Sequence, residues 1–258
     1  WFGDTHKSAD WGNMARQTLE RHPDISFYSI IGDLVSTGLD RNEWDEFFNH
    51  SGQIFTQKPL MPIPGNHDSQ DGLGAAMYQN LFSLPTNGPR GLPAERTYAF
   101  NYQNALFVMI DGTFAVEDQT AWIEKQLAES KAKWKFVMLH FPPYNFEEDY
   151  ARIRKEWGTL FDRYHVDMVM SGHVHYYMRS KPMYAEKPVL SPAQGTIYTI
   201  SISIPSQHKN WPDEPYAAAR FQSGPVYQHL RIDKDELTYR CLDVNGKVKD
   251  ELKIVKEK

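Results

Sequence analysis

Carboxylates, an amide and imidazoles recur along this chain in short clusters: Gly3-Asp4-Thr5-His6, Gly32-Asp33, Gly65-Asn66-His67-Asp68, Leu139-His140-Phe141-Pro142-Pro143 and Gly172-His173-Val174-His175. Nitrogen and oxygen donors of this hard-to-borderline kind suit Mn, Fe or Zn better than a soft copper site. The set is too rich for one ion. A carboxylate shared by two cations about 3.5–4 Å apart polarises a water towards hydroxide near neutral pH and clamps the oxygens of an in-line phosphoryl transfer. The single cysteine, Cys241, excludes an internal disulfide and a cysteine-based metal cluster.

Each cluster taken singly has a bland reading. Asp4 and His6 are compatible with a strand-end turn, Asn66 and His67 with a bend around Gly65, and His140 with a structural residue before two prolines. Their ordered occurrence after five apolar runs is not explained by independent coincidence. His173 and His175 lie two apart, which puts both rings on one side of an extended segment. Glycines beside the clusters suit a chain that turns sharply and brings its backbone close to an ion or phosphate.

The apolar runs that must position these residues cover 25–31, 60–63, 105–110, 135–139 and 166–170, and their β-branched and aromatic content predicts buried strands. Helical spacing is expected over 10–21, 41–55, 117–131 and 153–164. This alternation defines an α/β architecture, whose ligand sites usually lie at strand ends. Residues 69–96, rich in Gly, Pro and Asn, read as an irregular excursion close enough to overhang the site. Beyond Tyr176 the pattern becomes mostly strand, over 196–204, 226–232, 237–243 and 248–254, with turn signals at Asp233-Lys234-Asp235 and Asn245-Gly246.

Asp-x-His, Gly-Asp, Gly-Asn-His-Asp, an isolated His and Gly-His-x-His, in this order, resemble the calcineurin-like metallophosphoesterase superfamily. The stretch Gly172 to Ser180, the strand-rich tail and Gly195-Thr196-Ile197-Tyr198 are further similar to the purple acid phosphatase branch. The resemblance implies a four-layer sandwich of two mixed β-sheets flanked by helices. It places Asp4, His6, Asp33 and His175 around a first metal, with Asp33 as the bridge, and Asn66, His140 and His173 around a second. His67 then corresponds to an outer-sphere histidine that contacts phosphate and protonates the leaving oxygen, without binding metal. The implied cofactors are two divalent or mixed-valence ions, Mn, Fe or Zn. Catalysis would involve Asp33, Asn66 and His67, with attack by a metal-bridging hydroxide.

Two departures narrow the branch. Ser36 stands where purple acid phosphatases carry the tyrosine that binds ferric iron, so a purple chromophore is not expected. Ser36-Thr37 also replaces the Asp-Arg of phosphoprotein phosphatases, which leaves no residue assigned to orient His67. A phosphomonoesterase is the expected activity; the alternatives are a phosphodiesterase, or a catalytically silent binding module with the same fold.

The 258 residues are expected to form one catalytic domain, residues 1–258. A net charge of −5 without a basic run disfavours nucleic acid, leaving a small phosphorylated substrate as the expected partner. No stretch approaches the roughly 20 apolar residues of a membrane span. Only two residues precede Gly3-Asp4, where a buried strand normally needs about five, so upstream residues are expected. A secreted or periplasmic location follows from the branch resemblance; the oligomeric state stays open. His22, His50, His165, His208 and His229 carry no motif and read as surface or packing residues, with His208 the one able to reach the site from its loop. Tyr144, Tyr176 and Tyr177 read as packing residues, and Glu147-Glu148-Asp149 as a solvated loop able to tune charge at the entrance.

Overall fold

The computed structural model describes all residues except 71–72, 206–211, 223 and 257–258, so His208 lies outside the described residues. The helices are α1 (Ala9–Arg21), α2 (Arg41–Ser51), α3 (Ile54–Gln57), α4 (Asn66–Ser69), α5 (Ala76–Leu81), α6 (Val116–Glu129), α7 (Ala151–Ile153) and α8 (Thr159–Arg163), with a π-helical turn at Arg154–Gly158 between the last two. The strands are β1 (Tyr98–Tyr102), β2 (Ala105–Ile110), β3 (Trp134–Leu139), β4 (Met168–Ser171), β5 (Tyr177–Ser180), β6 (Met183–Tyr184), β7 (Lys187–Pro188), β8 (Ile197–Ile200), β9 (Ala217–Phe221), β10 (Val226–Asp233), β11 (Glu236–Asp243) and β12 (Val248–Val255).

Seven strands form the central sheet, in the order β1-β2-β3-β4-β8-β5-β9. β2, β3, β4 and β8 run parallel; β1 pairs antiparallel at one edge, and on the other side β5 pairs antiparallel with β8 and with the edge strand β9. The parallel strands are buried on both faces, as their unbroken apolar runs require. Side chains alternate between two cores. Leu106, Val108 and Ile110 pack with Ile123 and Leu127 of α6 and Phe161 of α8, whereas Phe107 and Met109 face Phe2, Ile30, Ile31 and Ile63.

That second face meets a layer made by 1–4, 28–31, 60–63 and 202. These segments pair through single parallel bridges, Phe2 to Ile30, Tyr28 to Leu60, Ile31 to Ile63 and Asp4 to Ile202. The expected strands at 25–31 and 60–63 are thus reduced to short extended pieces. Trp1 and Gln228 exchange backbone hydrogen bonds, which joins this layer to the antiparallel β10-β11-β12 sheet. Beyond it lies α1, capped by the Ser8 side chain on the Asp10 and Trp11 N–H groups, with Trp11 edge-on to Phe2 and stacked on Phe47 of α2. The expected mixed α/β sandwich with outer helices is present.

Local chemistry accounts for the other differences. The expected helix at 41–55 ends at Ser51 because Gly52 takes a left-handed φ of 62°, and the chain restarts as α3. The excursion at 69–96 contains α5, anchored by the buried Tyr78. Strands β1, β5 and β9 were not expected; Tyr176 and Tyr177 are fully buried, so they pack and do not line a pocket.

Candidate metal centre

The clusters converge at the ends of the parallel segments. Asp4 and Asp33 leave the bridged pieces 1–4 and 28–31, Asn66 and His67 open α4, His140 follows β3 directly, and His173 follows β4. Among the described residues, three groups have potential ligand atoms within 4.8 Å of one another: Asp4 with His6 and His175; Asp33 with His140 and His173; and His6 with Asp33 and His67. All residues expected at the site come together, and the other described histidines lie elsewhere. His50 bonds to the Lys7 carbonyl and His22 stacks on His229.

Each buried carboxylate is held by one oxygen and presents the other. Asp4 Oδ1 accepts the His173 backbone N–H at 2.8 Å, and Oδ2 lies 3.1 Å from His175 Nε2. Asp33 Oδ1 accepts the His67 backbone N–H at 2.9 Å, and Oδ2 lies 3.2 Å from His140 Nε2 and 4.0 Å from His6 Nε2. The closeness explains two glycines. A Cβ on Gly65 would stand 2.2 Å from Asp33 Oδ1, and one on Gly172 would stand 2.2 Å from Asp4 Oδ1. His6, Asp33 and His173 all have positive φ, a conformation that costs non-glycine residues on the order of 1 kcal/mol and is concentrated at functional sites.

The donor chemistry fits cations. His140 Nδ1 is 2.7 Å from the Ile31 carbonyl, which can only accept, so Nε2 is left towards Asn66 Oδ1 at 3.1 Å and Asp33 Oδ2. His173 Nδ1 is also 3.1 Å from Asn66 Oδ1. Electron-pair donors therefore face one another across a small space, an arrangement that a metal ion or a proton must satisfy. The field demands positive charge. Burial opposes a proton on His140, yet the charge of Asp33 and its hydrogen bond, with Asp4 behind, push the imidazole up to about 10. Burial would raise the Asp4 carboxyl, but the His175 hydrogen bond and the charges of His140, His175 and His6 carry it well below the usual range.

Three contributors carry no assigned role in the sequence reading. The Ser36 carbonyl accepts from His67 Nδ1 at 2.7 Å and so orients that ring; a main-chain group leaves no residue signal. Asp68, fully buried, accepts from the Leu34, Val35 and Gly65 N–H groups and pins the Asp33 turn to α4. An acid three residues after Gly65 is a helix-start signal that points to that role. Glu148, from the loop read as solvated, lies 3.0 Å from His173 Nε2. A cavity of about 430 Å³ at the other end of the strands, between Tyr28 and Tyr227, includes none of the site residues.

A mixed α/β sandwich with nitrogen and oxygen donors grouped at its strand ends defines a metallophosphoesterase class of protein. Residues 1–177 match the calcineurin-like phosphoesterase family, and the chain belongs to that family. It is 28% identical over 186 residues to an uncharacterised protein of Mycobacterium tuberculosis, covering 61% of this chain and 35% of that one. It is 26% identical over 193 residues to purple acid phosphatase 21 of Arabidopsis thaliana, covering 69% and 44%. The purple acid phosphatase PPD1 of yellow lupin has the same fold, with a TM-score of 0.82 at 21% identity, over 95% of this chain and 49% of that one. The chain thus spans a third to a half of the length of these relatives.

Proposed function

We propose that the protein is a metal-dependent phosphoric ester hydrolase that holds two ions and prefers phosphate monoesters. The observation that carries this reading is the position of Asn66 Oδ1, 3.1 Å from both His140 Nε2 and His173 Nδ1, beside Asp33. In this reading Asp4, His6, Asp33 and His175 hold one ion and Asp33, Asn66, His140 and His173 the other. Such ions, when bound, acidify a water and withdraw charge from the phosphoryl oxygens.

The chain's own residues supply the rest. Asp33 sits between the two donor groups with one oxygen committed to the His67 N–H, so its position is fixed before substrate arrives. His67 is the most exposed of the set, and its Nδ1–H is engaged by the Ser36 carbonyl, which leaves proton donation to Nε2. The monoester preference is supported by likeness to purple acid phosphatases, such as purple acid phosphatase 21 of Arabidopsis thaliana over 69% of this chain.

The test is elemental analysis of purified protein together with hydrolysis of aryl phosphate monoesters and bis-aryl diesters, with and without added manganese. Two metals per chain and metal-dependent monoester turnover are expected. Strong preference for the diester would overturn the substrate assignment, and absence of both metal and turnover would overturn the activity.

A further inference from the structure

We propose that Glu148 is a positioning residue for His173, accepting a hydrogen bond from Nε2–H so that the Nδ1 lone pair is presented to the ion that Asp33, Asn66 and His140 would share. This rests on the reading of His173 as a metal ligand.

A neutral imidazole carries one N–H and one lone pair, and an ionised carboxylate only accepts. With Glu148 Oε1 3.0 Å from Nε2, the hydrogen belongs on that nitrogen, and Nδ1, 3.1 Å from Asn66 Oδ1, is left as the electron-pair donor. His140 shows the same logic with a main-chain partner: its Nδ1–H goes to the Ile31 carbonyl and its Nε2 faces the same amide oxygen. A ligating imidazole is commonly fixed in this way by an acceptor on its far nitrogen, which sets the tautomer and strengthens the donor.

The carboxylate does not reach His173 by chance rotation of an exposed side chain. Asn145 Oδ1 accepts the N–H groups of Glu147 and Glu148, both at 2.8 Å, and its Nδ2 donates to the Pro142 and Glu148 carbonyls, so the turn is tied to the segment just after His140. Tyr150 donates its hydroxyl to Glu148 Oε2, which occupies the second oxygen. Phe141 stands edge-on to the His173 ring at 4.8 Å and limits its rotation. The Glu148 side chain is 51% exposed, so the contact adds little to folding, and its loss should register in metal affinity.

The experiment is calorimetric titration of chelator-stripped protein with Mn²⁺, alongside its thermal melting curve. Glu148→Ala is expected to weaken binding of one of the two ions about tenfold while the melting temperature of the stripped protein stays at the wild-type value. Glu148→Gln should recover most of that affinity, because an amide oxygen accepts the same Nε2–H. Glu147→Ala, which removes equal charge from the same loop, should leave binding unchanged. Wild-type affinity in Glu148→Ala, or an equal loss in Glu147→Ala, would overturn the role of Glu148. His173→Ala separates the two levels. If it retains both ions, His173 is not a ligand, and if the wild type takes up none, the metal reading itself fails, and in either case this inference falls; if it loses one ion while Glu148→Ala binds normally, only the positioning role falls.

Discussion

The backbone N–H of His67 donates to Asp33 Oδ1 at 2.9 Å, while the His67 ring meets the Ser36 carbonyl at 2.7 Å, three residues beyond Asp33. The buried carboxylate between the donor groups and the exposed imidazole are thus fixed by one another. Asp33→Asn keeps the shape and the acceptor for His67 but removes the charge. It is expected to lose bound metal and to drop turnover by more than about 100-fold, measured by elemental analysis and steady-state kinetics. His67→Ala should retain both ions and lower kcat by about 10²–10⁴-fold. Metal loss in His67→Ala would instead make His67 a ligand, as its grouping with His6 and Asp33 allows.

Asp68 should matter through folding. Its carboxylate satisfies three buried N–H groups, those of Leu34, Val35 and Gly65. Burial and the charge of Asp33 push its own carboxyl up to about 7, so a neutral amide is tolerated there better than a truncation. Asp68→Ala is expected to cost on the order of 2–4 kcal/mol in urea unfolding, and Asp68→Asn about 1 kcal/mol. Equal stability of the two variants would contradict the capping role.

Arg96 and Asp111 form a buried pair at 2.6 Å, and Arg96 also reaches Ser69 at the end of α4 and Thr113 after β2. Arg96→Met would leave the Asp111 charge buried without its cation, at a cost of about 3–5 kcal/mol. The double variant Arg96→Met with Asp111→Asn should be less destabilised than Arg96→Met alone. Additive losses in denaturant unfolding would show that the pair acts separately.

His229 gives the fold an acid-sensitive seam far from the metal site. Burial, then the stacked His22 ring at 4.2 Å, drive its imidazole down to about 4; Asp24 opposes the shift and Arg240 adds to it. Because the folded value is depressed, the unfolded chain binds more protons between about pH 6.5 and 4, and stability falls as pH drops through that window. The group is partly exposed, so solvent screening reduces the effect to about 1 kcal/mol. His229→Gln should flatten the fall in melting temperature between pH 6.5 and 4; an unchanged slope would remove His229 from the acid response.

The sequence by itself determined which side chains meet. The donor types, their order after apolar runs and the alternation of strands with helices define an α/β architecture with Asp4, His6, Asp33, Asn66, His67, His140, His173 and His175 at its strand ends, because side-chain periodicity and turn chemistry are local properties, and the sandwich is what the family resemblance implies. It also separated the motif histidines from His22, His50, His165 and His229, which lie away from the site. Only the tertiary structure decided what holds those donors in place. Ser36 acts through its carbonyl, Asp68 through the backbone N–H groups of Leu34 and Val35, 34 and 33 residues earlier in the chain, and Glu148 by crossing from the loop after β3 to the segment after β4. The short extended pieces at 28–31 and 60–63, and the unexpected antiparallel strands β1, β5 and β9, have the same cause. Pairing and hydrogen bonding between distant segments depend on where the chain returns, and no local spacing of residues encodes that.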